Sequence, residues 1–274
     1  MKKLTMKPIG GCINPGINDP VCSSAFNTSK YIQWLPFNYS GEADIEMYID
    51  NGIIEGLQNS KLKYGWLLES RQYNQNIINQ IINNLELFKQ HYKYIFTCQM
   101  DLVSLGAPFA YTISNAAAWT QKENRKKPNK TGLISMLTSN NSSLPGHKYR
   151  IDYMNKNKQY LDTFGRGHNE IQFTDEAFLN YMFTVSMEND TSDAYFTERL
   201  TSPMTTYTVP IYRGSKAVVE QYFNPKGVLW ENEIELKDLN EDLYNSMLPY
   251  IEENYKLACD FPVADDYIIK NYFI

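Results

Sequence analysis

The chain has 274 residues, 43% of them hydrophobic and 21% charged, with a formal net charge of -5. That composition is globular, with room for one large core or two modest ones, and two domains are the expectation. Mild acidity argues against a nucleic-acid partner, which would favour a basic face.

The one dense basic cluster, residues 122–130, contains Pro128 and two asparagines and reads as a solvated loop between domains. No apolar run approaches the roughly 20 residues that a membrane helix needs, and the first residues lack the apolar core of a secretory signal. A cytoplasmic protein without a transmembrane segment is therefore expected. Cys12, Cys22, Cys98 and Cys259 form no CxxC pair and read as reduced, mostly buried thiols. With only His91, His147 and His168, neither a zinc site nor a histidine-dependent triad has its parts.

In chain order, residues 3–9, 64–68 and 94–97 are short apolar or aromatic runs bounded by turn residues, as buried strands are. Gly10 and Gly11 follow the first of these and read as a turn. Between the second and third, Ile77, Ile78, Ile81, Ile82, Leu85 and Phe88 recur at three-to-four spacing, predicting one helix over 74–91. After the polar stretch 121–130 the alternation restarts. Strands are expected at 133–138, 160–164, 184–187, 209–212 and 228–230, with helices at 149–157, 175–183, from Glu198, and at 239–255. Two runs of alternating strands and helices favour a doubly wound parallel sheet in each half.

The most specific segment is 183–200, Phe-Thr-Val-Ser-Met-Glu-Asn-Asp-Thr-Ser-Asp-Ala-Tyr-Phe-Thr-Glu-Arg-Leu. It is followed by Val-Pro-Ile-Tyr-Arg-Gly-Ser at 209–215 and Phe-Asn-Pro at 223–225. This arrangement resembles the donor-binding motif of the α1,3-fucosyltransferase family, glycosyltransferase family 10. There a strand ends in Glu-Asn, a Tyr-x-Thr-Glu-Lys turn opens a helix, and a Val-Pro-x-x-x-Gly strand follows. The matching positions are Glu188, Asn189, Tyr195, Thr197, Glu198, Arg199, Val209, Pro210 and Gly214. Physically, Thr197 suits an N-cap, and Tyr195 and Arg199 suit the oxygens of a pyrophosphate. Family members carry lysine where Arg199 stands, and Pro203 would shorten or kink the helix.

The resemblance extends more loosely upstream. Ser139-Asn140, the basic stretch after it and Leu161-Asp-Thr-Phe-Gly165 are similar to the family's Ser-Asn loop, arginine-bearing helix and Val-Asp-x-x-Gly strand. His147, Lys148 and Arg150 compete for the phosphate role, with Arg150 preferred on charge and reach and Arg166 behind it. Tyr64-Gly-Trp-Leu-Leu-Glu-Ser70 resembles the segment carrying the family's general base, which makes Glu69 the base, although Arg71 replaces a proline. Asp101 is a possible supporting residue.

The resemblance implies an α/β GT-B architecture, two Rossmann-like domains facing a central cleft. An acceptor-side domain would span 1–130 and carry the base. A nucleotide-sugar-binding domain would span 131–274, its last helix able to pack back on the first. It also implies transfer of L-fucose, or a related deoxysugar, from a GDP-sugar to a glycan hydroxyl with inversion, with Glu69 and Glu198 as catalytic carboxylates. Arg150, Glu188, Asn189, Tyr195, Thr197 and Arg199 would bind the donor. No Asp-x-Asp follows a strand, so neither metal nor another cofactor is expected. A non-catalytic sugar-nucleotide or glycan binder, and a GT-B enzyme with a different donor, are the alternatives.

Overall fold

A computed structural model describes residues 3–11, 24–58, 62–192 and 194–274. Two compact units divide the chain, one running to Asn115 and taking in Pro262–Ile274, the other Ala116–Phe261.

The first domain is a six-stranded parallel sheet of β1 (Leu4–Ile9), β2 (Ile32–Trp34), β3 (Ile45–Ile49), β4 (Lys63–Trp66), β5 (Tyr92–Thr97) and β6 (Phe109–Tyr111), in spatial order β2-β1-β3-β4-β5-β6. The strand order reverses between β1 and β3, the switch point of a doubly wound sheet. At that point β1 runs into α1 (Gly52–Glu55) with no room for side chains: a Cβ on Gly52 would lie 2.0 Å from Ile9 O, and one on Gly10 2.5 Å from Gly52 N. The Gly10 turn, at φ +69, thus serves close packing of backbone on backbone.

The helix expected over 74–91 is two helices, α2 (Arg71–Asn83) and α3 (Leu85–His91). Ser70 starts α2 early by accepting from Tyr73 N at 3.3 Å. Asn84 breaks the pair, its Nδ2 donating to Gln80 O at 2.9 Å, the local competition that makes asparagine a poor mid-helix residue. The apolar face is nevertheless continuous, and Ile78, Ile81 and Phe88 all enter the core with Ile95. The short α4 (Met100–Val103) leads to β6.

In the second domain β7 (Gly132–Leu137), β8 (Asp162–Phe164), β9 (Tyr181–Met187), β10 (Val209–Arg213) and β11 (Leu229–Trp230) lie parallel in order β11-β10-β9-β7-β8. Its switch point falls between β7 and β9. One face packs on α5 (Pro145–Asn157) and α8 (Glu241–Cys259), through Met154, Tyr244, Met247 and Ile251. A second cluster joins Leu200 and Met204 of α6 (Glu198–Met204) to Val218 and Val219 of α7 (Lys216–Tyr222) and to Tyr212. Where a helix was expected over 175–183, the chain forms one 3-10 turn, Thr174–Ala177, and then enters β9. Phe183 and Val185 are buried in a central strand, and an apolar run buried on both faces carries no period to separate strand from helix.

The division at Asn115 precedes the expected boundary at 130 by a whole strap. Thr201 Oγ1 donates to Ala116 O at 2.5 Å, Trp119 N to Ser202 Oγ at 2.9 Å, and Thr205 Oγ1 to Thr120 Oγ1 at 2.8 Å, so 116–120 is stitched along α6. Lys130 is drawn inward, donating to Phe178 O at 3.1 Å and Thr208 Oγ1 at 2.7 Å, and burial lowers its pKa to about 7. The helix expected at 239–255 is α8, which stays with the second domain. A further helix, α9 (Ala264–Tyr272), belongs to the first, where Trp34 Nε1 donates to Asp265 Oδ1 at 2.5 Å and Tyr272 Oη to Tyr111 O at 2.7 Å.

Cys98 is buried and Cys259 half-buried, while Cys12 and Cys22 lie outside the described residues. Among the described residues no helix is long and apolar enough to cross a membrane. Phe183, fully buried and 5.9 Å edge-on from the Tyr244 ring, fills the centre of the second core. Phe183→Ala is expected to cost about 3–5 kcal/mol in urea unfolding of that domain, and a loss below about 1 kcal/mol would contradict this packing.

Candidate nucleotide-sugar site

The C-terminal ends of β7 and β9 open the crevice in which doubly wound sheets bind ligands. Glu188 leaves β9 there, is 1% exposed, and is held from three sides. Thr197 N donates to its Oε1 and Thr197 Oγ1 to its Oε2, both at 2.9 Å, while Tyr212 Oη reaches Oε1 at 3.2 Å. Thr197 also caps α6, its Oγ1 accepting from Arg199 N at 3.2 Å. One carboxylate therefore fixes the cap, and the cap fixes the first turn. Ser186 Oγ adds a short hydrogen bond to Arg199 O, and Arg199 Nη1 donates to Leu137 O at 3.3 Å. Arg199 thereby spans the crevice from α6 to the end of β7. With only seven residues, α6 has a small dipole, and the charge at this site comes from side chains.

Arg150 is 6% exposed on α5, and Gly146 is the other buried residue of that helix. A Cβ on Gly146 would lie 2.1 Å from Asn189 O, so glycine lets the first turn of α5 press against the exit of β9. Arg150, one turn on, comes within electrostatic range of Arg199, Glu188, Glu198 and Tyr195. Burial first, and then Arg199, lower its pKa to about 9, which leaves it cationic at neutral pH. Its Nε is buried without a hydrogen-bond partner, and among the described residues neither Arg150 nor Arg199 is ion-paired.

The other two candidates for the phosphate role separate clearly. His147 is half-buried beside both arginines, and burial and then their charges push its pKa down, favouring the neutral ring. Lys148 points to solvent and pairs with Asp152 at 3.5 Å. Arg166, in the loop after β8, is exposed. Tyr195 is buried, and Asn189 supplies the main-chain oxygen that meets Gly146. Beside Glu198 and Arg199 lies a cavity of about 130 Å³, walled by Trp119, Leu137, Phe178 and Val185.

In the first domain Glu69 is half-buried in the turn between β4 and α2, with its N–H donated to Asp50 Oδ1 at 3.2 Å. Arg71, where the family has proline, opens α2 and pairs with Asp101, Nη1 standing 2.7 Å from Oδ2 and 2.8 Å from Oδ1. The pair is partly exposed, at 28% and 58%, so it contributes little to stability. Asp50, Asn74 and Tyr212 were not singled out from the sequence. Tyr212 carried a signal nonetheless, since it stands in the Val-Pro-Ile-Tyr strand paired directly with β9.

The two parallel doubly wound domains match structures of the GT-B class of fold. A crystal structure of an α1,3-fucosyltransferase matches 96% of this chain and 92% of its own, with a TM-score of 0.53 at 15% identity. A second, of α1,3-fucosyltransferase with GDP, matches 96% and 82%, with a TM-score of 0.51 at 14% identity. A putative fucosyltransferase of Acanthamoeba polyphaga mimivirus is 23% identical over 84% of this chain, which spans 43% of that relative's length. Residues 127–246 match the model of the C-terminal domain of glycosyltransferase family 10 (fucosyltransferase).

Burial, followed by Glu198, raises the Glu188 pKa from an ordinary 4.5 to about 7, opposed by Arg199 and by the Thr197 hydrogen bonds. The folded state therefore binds more protons than the unfolded one between those values. Stability from this group falls as pH rises through that window and levels off above it. Thermal midpoints should decline between about pH 5 and pH 7, and Glu188→Gln should flatten the decline. An unchanged slope in that variant would remove Glu188 as its source.

Proposed function

We propose that the protein is an inverting glycosyltransferase that moves L-fucose, or a related deoxysugar, from a GDP-sugar to a glycan hydroxyl. The observation that carries this reading is Arg150, a buried guanidinium with an unpartnered Nε, beside an unpaired Arg199 at the switch point of the domain that matches the family 10 model. A buried unpaired cation costs several kcal/mol of desolvation, and a second cation adds repulsion. A diphosphate offsets both. The crystallised α1,3-fucosyltransferase with GDP supports that nucleotide as the leaving group.

In the proposed displacement the acceptor oxygen attacks the anomeric carbon as the bond from that carbon to the diphosphate oxygen breaks. The acceptor proton passes to Glu69, and the charge growing on the diphosphate falls to Arg150 and Arg199. Glu198, at the edge of the 130 Å³ cavity, favours positive charge developing at the sugar. Asn189, Tyr195 and Thr197 shape the donor side around the arginines, and Glu188 holds the cap in place.

Arg150→Met should weaken GDP binding by about 10- to 100-fold in calorimetry, the worth of a charge-assisted bond to phosphate. The thermal midpoint without nucleotide should hold or rise, because an unpaired buried charge is gone. GDP affinity within two-fold of wild type, taken roughly, would sink the phosphate role.

Glu69→Gln should lower turnover of GDP-fucose by about 100-fold or more with GDP affinity intact. Turnover within a few-fold of wild type would remove Glu69 as base. GDP binding by the wild type without transfer to any of a panel of oligosaccharides would favour a non-catalytic binder.

A further inference from the structure

The turn that carries Glu69 is tied down by two buried side chains to which the displacement gives no part. Asp50 follows β3 and is fully buried. Its Oδ1 accepts from Leu68 N at 2.9 Å, from Glu69 N at 3.2 Å and from Asn74 Nδ2 at 2.6 Å. Asn74, fully buried at the start of α2, also donates from Nδ2 to Glu69 O at 3.3 Å. The main chain is thus held on both sides of the Glu69 Cα, its N–H by Asp50 and its carbonyl by Asn74.

Asp50 adopts this position at a cost. Its φ is +48, a left-handed conformation uncommon outside glycine, and its own N–H donates to Trp66 O at 2.9 Å, folding the end of β3 against the end of β4. Among the described residues it forms no ion pair, and Asp50 Oδ2 and Asn74 Oδ1 are both buried without a partner. Burial raises its pKa to about 6 against the pull of its three donors. Two orphaned acceptors and a strained backbone are poor choices for a plain structural plug, which an apolar residue would fill at lower cost. They are intelligible where a fixed geometry is needed.

We propose that Asp50, braced by Asn74, is a positioning residue that fixes the peptide units flanking Glu69 and so presents its carboxylate in one orientation. This rests on the reading of Glu69 as the base. Asp50 acts through hydrogen bonds from main-chain amides to one oxygen, so an asparagine able to accept at Oδ1 preserves the arrangement and an alanine abolishes it.

The test is GDP release from GDP-fucose with a panel of oligosaccharide acceptors, with GDP affinity measured by calorimetry in parallel. Asp50→Ala should lower kcat by at least about 10-fold, as small misplacements of a reacting group do, while KM for donor and GDP affinity stay within about two-fold. Asp50→Asn should restore kcat to within about three-fold of wild type. In Glu69→Gln, adding Asp50→Ala should cost nothing further, since a group acting through Glu69 has nothing left to position.

Amide exchange at Leu68 and Glu69 should quicken in Asp50→Ala. Where that variant fails to fold, Asn74→Ala carries the same measurements through the carbonyl side. Turnover near wild type in Asp50→Ala beside an inactive Glu69→Gln overturns the positioning role and leaves the base standing. A further loss in the double variant, or unchanged exchange at the two amides, also overturns it. Full turnover in Glu69→Gln overturns the base reading and this proposal with it.

Discussion

The second domain's site depends on one contact, the Glu188 carboxylate accepting from both the amide and the hydroxyl of Thr197. A parallel strand delivers a side chain to the switch point with little angular freedom, because β9 is paired on both sides, to β7 and to β10. Gripping the cap residue from that strand turns strand geometry into helix geometry. The position of Arg199 then follows from α6, and its reach to Leu137 O closes the loop back to the sheet. A surface salt bridge could not set this geometry, since the median exposed pair contributes between about 0 and 1 kcal/mol and two long side chains remain loose.

The same region concentrates charge in a way that the fold alone does not require. Glu188 and Glu198 are both pushed up by burial, and Arg150 is pushed down. Among the described residues these opposite charges stop short of direct ion pairs. They lie close enough to moderate one another but too far apart to neutralise. Direct pairs would stabilise the empty protein and would have to be broken by any incoming anion. Arrangements strained in isolation and satisfied by a ligand are common where proteins bind charge.

The readable parts of the sequence were those whose signals are local. The block from Phe183 to Gly214 announced itself because a buried strand, an acidic exit, a threonine cap and a following strand occupy consecutive positions. Arg150 was singled out from His147 and Lys148 on charge and reach alone, and its place one turn beyond Gly146 on the buried face of α5 emerges only in the fold. The expectations that the structure revised concern features set by distant partners. The boundary at 130 missed the strap 116–120, whose bonds run to residues more than 80 positions away. Strands β2 and β6 have three residues each, too few to show a period, and β3 is buried at all but one position. Asp50 and Asn74 are 24 positions apart and look like ordinary turn and helix polar residues until the fold brings them together.

The close approach of Gly146 to Asn189 has a consequence for how this site can change over evolution or by engineering. With 2.1 Å between Asn189 O and the place where a Cβ would stand, neither segment can be exchanged for a bulkier one alone. The first turn of α5 and the exit of β9 must be inherited, or transplanted, as a matched pair. Side chains around the crevice are then free to drift, while the backbone seam beneath them stays fixed.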